Sequence, residues 1–187
     1  MQRVKFEILI MTLLTGLTYA LAHAFNGFIF KLLEFSNHIS WIYLPAFLRL
    51  ANVLILGSLF GSVATAIGVI IICFFNNDPV DVTVLNAAAS VIGPLISFQI
   101  FKVLKGREVY ITELRDLLVL TFIYSFINAL THHLAWALVE PDQFLSISQL
   151  PIMMVGDLVG ASLGALLFAV IANNPVVIDF VKKRADK

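Results

Sequence analysis

The fold of this chain is decided by residues 149–172, QLPIMMVGDLVGASLGALLFAVIA. Asp157 is the only charged residue in this stretch, and most of the others are apolar or small. A helix needs about 20 apolar residues to cross the hydrocarbon core of a bilayer, which is about 30 Å thick. The stretch therefore predicts a transmembrane helix that carries one acidic side chain into the membrane.

Five further apolar runs precede this stretch, and charged or turn-forming residues separate most of them. The predicted spans are 8–30, 41–57, 59–76, 84–104, 117–139 and 149–172. The second and third runs are short and meet at the Gly57-Ser58 pair. They therefore form either two tightly linked helices or one broken, re-entrant pair.

The composition is that of a membrane protein. Of the 187 residues, 60% are hydrophobic and 13% are charged, and the mean hydropathy is +0.96. Soluble domains average about 45–50% apolar and about 25% charged residues. We therefore expect an all-α integral membrane protein, a compact bundle of about six transmembrane helices that forms a single domain over residues 1–187. The net charge of zero offers no attraction to nucleic acid, so the expected first partner is the lipid bilayer.

The basic residues indicate how the bundle is oriented. With six spans and a cytoplasmic N-terminus, the cytoplasmic side holds ten of the twelve Lys and Arg residues, as the positive-inside rule requires. These ten are Arg3, Lys5, Lys102, Lys105, Arg107, Arg115, Lys182, Lys183, Arg184 and Lys187. We therefore expect both termini to be cytoplasmic.

The N-terminal region also has features of a secretory signal. Arg3 and Lys5 precede an apolar stretch, and Ala22-His23-Ala24 has the small residues of a cleavage site. The apolar run nevertheless continues to Phe30. We therefore expect the first helix to remain uncleaved.

Two charged residues fall inside the predicted spans. Arg49 and Asp157 each lie eight residues into a span that runs from outside to inside, at a depth of ~12 Å. A charge within a span costs at least about 2.5–3.5 kcal/mol, so it needs a partner or a function. An Arg49–Asp157 ion pair fits this placement, either as a lock between helices or as part of a ligand site.

Other polar residues are predicted at a similar depth. Asn128 and His132 lie with Ser125 on one face of the fifth span, at a spacing of three and four residues. His23 lies near the outer end of the first span, and Asn52 lies one turn below Arg49. The residues predicted to bind a ligand or to lock helices together are Arg49, Asp157, Asn52, Asn128, His132 and His23.

The sequence holds no catalytic motif and no established metal motif. HExxH, CxxC and haem-attachment patterns are absent, so haem or metal binding through His23, His132 or His133 is the less favoured interpretation. No paired carboxylates or phosphate-binding loop occur, and we do not expect an enzyme. Trp41, Tyr43 and Trp136 fall near the outer boundary, where aromatic residues commonly anchor spans.

Small residues at four-residue spacing mark faces where helices pack in lipid. Gly156, Gly160 and Gly164 form such a stripe on the last span and are predicted packing positions. A stripe of this kind indicates a compact bundle or contact with another membrane protein chain. By itself it indicates no substrate.

Two stretches resemble the bacterial membrane-associated sensor domains of the type-one family. Residues 43–50, YLPAFLRL, followed by an aliphatic run to Gly57 and Gly61, are similar to the second-helix region of that family. Residues 154–161, MVGDLVGA, are similar to its final helix. The resemblance implies a multi-pass protein of the bacterial inner membrane that takes part in signal transduction. Family members are normally fused to an output enzyme, and this chain carries no such domain.

Three functions follow as hypotheses. The first is a stand-alone sensor-like membrane module that binds a small-molecule ligand or a partner helix in its outer half. The second is the solute-binding subunit of a membrane transporter. Substrate-binding subunits of energy-coupling-factor transporters have a similar size, and they dock a coupling subunit through small residues on the first helix. Ala20 and Ala24 have the same four-residue spacing in this chain. The third is a structural or assembly subunit of a larger membrane complex.

Overall fold

A computed structural model describes residues 2–36, 39–139 and 149–175 of the chain. The long helices are α1 (Gln2–Ile29), α2 (Ala46–Asn76), α3 (Val80–Lys105), α4 (Leu114–Trp136) and α5 (Gln149–Ala172). A short 3-10 turn (Lys31–Leu33) and a small antiparallel pair, β1 (Glu34–Ser36) and β2 (Ile39–Ser40), connect α1 to α2. Within the described ranges, these five helices are long and apolar enough to cross a membrane. The prediction of an all-helical fold with helices able to span a membrane is therefore confirmed.

Helix α2 covers both the second and the third predicted spans because the chain turns back within it. Gly57 has φ 76° and ψ 173°, a backbone conformation that residues with a side chain rarely adopt. Asn52 donates a hydrogen bond of 3.2 Å to Thr65, although a straight helix would separate them by ~20 Å. Gly61 also lies against the backbone of Asn52 and Val53. Segments 46–56 and 58–76 therefore lie side by side and run in opposite directions.

Contacts along the helices give the direction of each segment. Segment 46–56 runs opposite to α1, because Tyr43 bonds His23 while Arg49, further along, bonds the earlier Tyr19. Segment 58–76 runs parallel to α1, with Ala64 against Gly16 and Gly68 against Tyr19. Helices α3, α4 and α5 then alternate in direction, as the pairs Asn86–Trp136, Ser90–His132, Asn128–Asp157 and Thr112–Asn173 demonstrate.

The glycine stripe of α5 packs inside the chain. A Cβ at Gly160 would overlap the carbonyl oxygen of Tyr43, and one at Gly156 would overlap that of Ser40. The Gly156 carbonyl accepts a hydrogen bond of 3.1 Å from the backbone N–H of Tyr43, and Gly164 faces the ring of Phe47. The absence of side chains on this face thus lets the extended segment before α2 lie directly on α5.

The ends of the predicted spans differ modestly from the observed helices. Helix α3 begins at Val80 rather than at 84, and α4 covers Leu114–Trp136 rather than 117–139. Helix α2 begins at Ala46 because residues 41–45 are not helical and lead into it through Pro45. The loop residues Glu140 and Asp142, together with His38 and the basic tail from Lys182, lie outside the described residues.

Candidate ligand-binding site

Arg49 lies in the middle of the bundle and is surrounded by tyrosines. Its Nε donates a hydrogen bond of 2.7 Å to the Tyr19 hydroxyl, and its Nη1 lies 3.4 Å from the Tyr124 hydroxyl. The guanidinium carbon lies 5.4 Å from the ring centroids of both Tyr19 and Tyr43. Only 6% of Arg49 is exposed, so these groups replace most of the water that would solvate its charge.

Asn128 connects Arg49 to Asp157. Its Oδ1 accepts a hydrogen bond of 3.0 Å from Arg49 Nη1, and its Nδ2 donates one of 2.6 Å to Asp157 Oδ2. No direct ion pair joins Arg49 and Asp157 within the described ranges. The structure therefore brings the two predicted charges to one level of the bundle, but it separates them by an amide that satisfies one atom of each.

A chain of hydrogen bonds leads from Arg49 toward the C-terminal end of α1. The Tyr19 and Tyr43 hydroxyls lie 3.1 Å apart, and Tyr43 lies 3.0 Å from His23 Nδ1. One turn further along α1, Asn26 fixes the entry to α2 through bonds to the Ile42 carbonyl and the Leu44 N–H. The predicted residue His23 is thus connected to Arg49 through two tyrosines.

His132, on α4, contacts Ser90 on α3. Its Nε2 lies 3.2 Å from Ser90 Oγ, and its Nδ1 lies 2.9 Å from the carbonyl of Asn128. A carbonyl can only accept a hydrogen bond, so Nδ1 carries a proton and Nε2 of a neutral ring accepts from the serine. This geometry holds the imidazole in one orientation, and the sequence did not predict Ser90 as its neighbour.

A small central cavity of about 50 Å³ lies among these side chains. Its lining includes Arg49, Tyr19, Asp157 and His132. Cys73 and Asn86 contribute from α2 and α3, and Trp136 and Met153 from α4 and α5. A water molecule needs at least about 10–15 Å³ of such space, so the cavity can hold a few water molecules or one very small ligand.

A larger open groove adjoins the cavity near the C-terminal end of α1. The groove has a volume of about 610 Å³ and lies between α1 and the second half of α2. Four residues line both spaces: His23, Ser40, Tyr43 and Ile72. The hydrogen-bonded pair of His23 and Tyr43 therefore lies where the groove meets the cavity.

Some predicted residues do not belong to the cavity. Asn52 bonds Thr65 and holds the two halves of α2 together, and it does not line the cavity. Ala20 is buried against α2, so it does not form a free docking face with the exposed Ala24. Ser125 bonds the carbonyl of Phe122 in its own helix. These positions have the expected depth but face other neighbours.

Trp136 is not a membrane-boundary anchor. It is 2% exposed, and its indole N–H donates a hydrogen bond of 2.5 Å to Asn86 Oδ1 inside the bundle. Its ring also meets those of His132 and His133 edge to face, at 5.3 and 5.5 Å. The interpretation as an aromatic belt is therefore wrong for Trp136, whereas Trp41 is 44% exposed.

Nothing in the comparisons with known proteins assigns this chain to a family. No family model, curated protein or solved structure matches it. Over residues 2–36, 39–139 and 149–175, no group of three His, Cys, Asp or Glu side chains lies close enough to hold a metal ion. The ligand chemistry of the site therefore has to follow from the residues that line it.

A second arginine–aspartate contact lies at the opposite end of the bundle. Arg107 contacts both carboxylate oxygens of Asp116, with Nη2 at 3.0 Å from Oδ1, and Asp116 also accepts from the Tyr110 N–H at 3.1 Å. This hydrogen-bonded carboxylate raises the pKa of Arg107 above its ordinary value. The loop before α4 is thus folded around Asp116, which is 1% exposed.

Proposed function

We propose that this chain is a sensor-like membrane module that binds a small molecule in the outer half of its helical bundle. The observation that carries this proposal is a small cavity lined by two opposite charges, Arg49 and Asp157, next to a groove that opens outward. Charges inside a membrane are costly and commonly mark ligand or ion sites. The resemblance to bacterial membrane-associated sensor domains points to the same function and to the bacterial inner membrane.

The proposed arrangement has six crossing segments and both termini in the cytoplasm. Segments 46–56 and 58–76 run in opposite directions, so α2 supplies two of the six. Segment 46–56 is only ~16 Å long, and residues 41–45 continue its path outward as non-helical chain. Lys102 and Arg107 lie at one end of the bundle and Glu34 and Asp78 at the other, which supports a cytoplasmic position for the basic end.

The hypothesis of a purely structural subunit has less support. It requires the stripe of Gly156, Gly160 and Gly164 to face another chain. This stripe instead packs against residues 40–47 of the same chain. The stripe therefore explains how the cavity is built rather than how a partner docks.

Binding at this position can change how the helices pack. The cavity is lined from α1, both halves of α2, α3, α4 and α5, so a ligand contacts nearly every helix of the bundle. A ligand shifts a conformational equilibrium by the difference between its affinities for the two states. Such a shift would be passed to a partner membrane protein.

Native mass spectrometry of the protein purified in mild detergent tests the proposal. We expect the wild-type chain to retain a small molecule that the double variant Arg49→Gln/Asp157→Asn does not retain. The matched control is Asp116→Asn, which removes a buried carboxylate remote from the cavity and leaves retention unchanged.

Access from outside is tested with a single engineered cysteine. Ser40→Cys, in a Cys73→Ser background, lies between the groove and the cavity, and we expect a membrane-impermeant thiol reagent to label it in intact spheroplasts. Thr112→Cys in the same background is the cytoplasmic control and should be labelled only after permeabilisation. If the wild type retains nothing and the cysteine at position 40 is unreactive from outside, the proposed function is wrong.

A further inference from the structure

We propose that the cavity takes a small zwitterion of the size of the smallest α-amino acids, with its carboxylate on Arg49 and its ammonium group on Asp157. This inference rests on the proposed function, because it names the chemical class of the ligand for the same site. Three observations support it. They are the atoms of the two charged side chains that already make hydrogen bonds within the protein, the charge balance of the pair and the size of the cavity.

Arg49 has one nitrogen to offer to a ligand. Its Nε is bonded to Tyr19, and its Nη1 is shared between Tyr124 and Asn128. Its Nη2 makes no hydrogen bond within the described part of the chain. This atom is also not fully enclosed by protein. Because Arg49 lines the cavity, Nη2 is its available donor, and the other bonds hold the guanidinium plane in place.

Asp157 has one oxygen to offer in the same way. Its Oδ2 accepts the bond from Asn128, whereas Oδ1 has no hydrogen-bond partner among the described residues. The carboxylate is 2% exposed and lines the cavity. A donor or a cation is the ligand group that such an oxygen recognises.

The charge balance favours a ligand that carries both signs. Arg49 and Asp157 together are neutral, so a lone anion or cation would bring an unbalanced charge into a site with little water. A zwitterion adds no net charge and places each of its ends beside the opposite charge. Asn128 keeps the two protein charges apart, which leaves each of them able to pair with the ligand.

The size of the cavity sets an upper limit on the ligand. A volume of about 50 Å³ corresponds to about four water-sized atoms, which is close to the size of glycine. Large buried side chains, including Tyr19 and Trp136, line this space and narrow it. We therefore expect glycine to fit, alanine to bind more weakly and valine to be excluded.

The test is calorimetric titration of the full chain, reconstituted in lipid nanodiscs and dialysed exhaustively, with four probes: glycine, acetate, methylammonium and valine. We expect glycine to bind at least tenfold more tightly than acetate or methylammonium, and valine not to bind. Asp157→Asn keeps the size of the side chain and an oxygen for Asn128, and it should lower the affinity for glycine at least tenfold. Asp116→Asn, the control, should bind glycine like the wild type.

Several outcomes overturn the inference. Acetate binding as tightly as glycine would show an anion site, and methylammonium doing so would show a cation site. Equal glycine affinity in the wild type and Asp157→Asn, or no binding of any probe, would also reject it. The wild-type selectivity decides the question even if the variant fails to fold. A non-zwitterionic molecule retained in native mass spectrometry would leave the proposed function standing while rejecting the zwitterion.

Discussion

The molecule contains two arginine–aspartate arrangements, and they are built differently. At the loop between α3 and α4, Arg107 and Asp116 are in direct contact through both carboxylate oxygens. Deeper in the bundle, Arg49 and Asp157 are separated by Asn128, and each keeps one polar atom unused by the described residues. In a contact that only stabilises the fold, the polar atoms of the two side chains can bond each other directly. The separated pair leaves atoms that a ligand could bind.

The largest expected effect is a difference in stability between variants of the two arrangements. Arg49→Gln leaves the buried Asp157 charge without a cation nearby, and we expect a loss of about 3–5 kcal/mol in the free energy of unfolding. Adding Asp157→Asn should restore part of that loss. Arg107 is partly solvated, so Arg107→Gln should destabilise the protein much less. Denaturant unfolding of the four proteins in one detergent measures this, and equal losses for the two single arginine variants would contradict the comparison.

The next effect concerns the backbone contact between α5 and Tyr43, which supports only the Arg49–Asp157 arrangement. In Gly160→Ala, the new methyl group overlaps the Tyr43 carbonyl, and we expect a loss of about 1–3 kcal/mol together with weaker ligand binding. Gly27→Ala is the matched control, because nothing lies within 4 Å of the added atom. Thermal unfolding and titration measure the two variants. A Gly160→Ala protein that behaves like Gly27→Ala would show that Tyr43 is not held by α5.

A smaller difference is expected between two glycines with positive φ, one in each region. Gly57 has φ 76° and ψ 173°, a region that is nearly exclusive to glycine, and Gly57→Ala should cost about 1–3 kcal/mol. Gly106 has φ 67° and ψ 11°, which alanine adopts at a cost of about 1–2 kcal/mol. Parallel unfolding curves test the order. If Gly106→Ala proves the more harmful, the turn at Gly57 does not have the strained geometry described above.

The smallest effect should be confined to the loop between α3 and α4. Asp116→Asn weakens the bonds to Arg107 and to the Tyr110 N–H, so we expect faster hydrogen exchange at the Tyr110 amide. Exchange around Asn128 should stay unchanged, since the substitution lies near the other end of α4. Mass spectrometry of exchanged peptides measures both regions. Faster exchange near Asn128 would show that the two arrangements are coupled.

The sequence predicted helices long and apolar enough to span a membrane, and it predicted that Arg49 and Asp157 lie at one level. Apolar runs of sufficient length can form only helices in a bilayer, and counting residues along them placed Arg49 and Asp157 at one level. It also located Asn128 and His132 on one face of α4, since helical spacing fixes that relation. These successes depend on information that lies within a single helix.

The neighbours across helices could not be predicted in the same way. Tyr19 and Tyr124 are apolar enough to pass as ordinary span residues, and only the packing of α1 and α4 beside α2 brings their hydroxyls to Arg49. The glycine stripe was recognised, but its partner, the backbone of residues 40–43, was not. A tyrosine at the depth of a buried arginine is the one signal in the sequence that could have been used.

The contact between α5 and the Tyr43 backbone has a mechanical consequence. The two backbones touch without intervening side chains, and the Tyr43 N–H bonds the Gly156 carbonyl. At the far end of α5, Asn173 bonds the carbonyl of Thr112. A sliding movement of α5 along its own axis would therefore displace both the tyrosine beside the buried arginine and the loop between α3 and α4 at the same time.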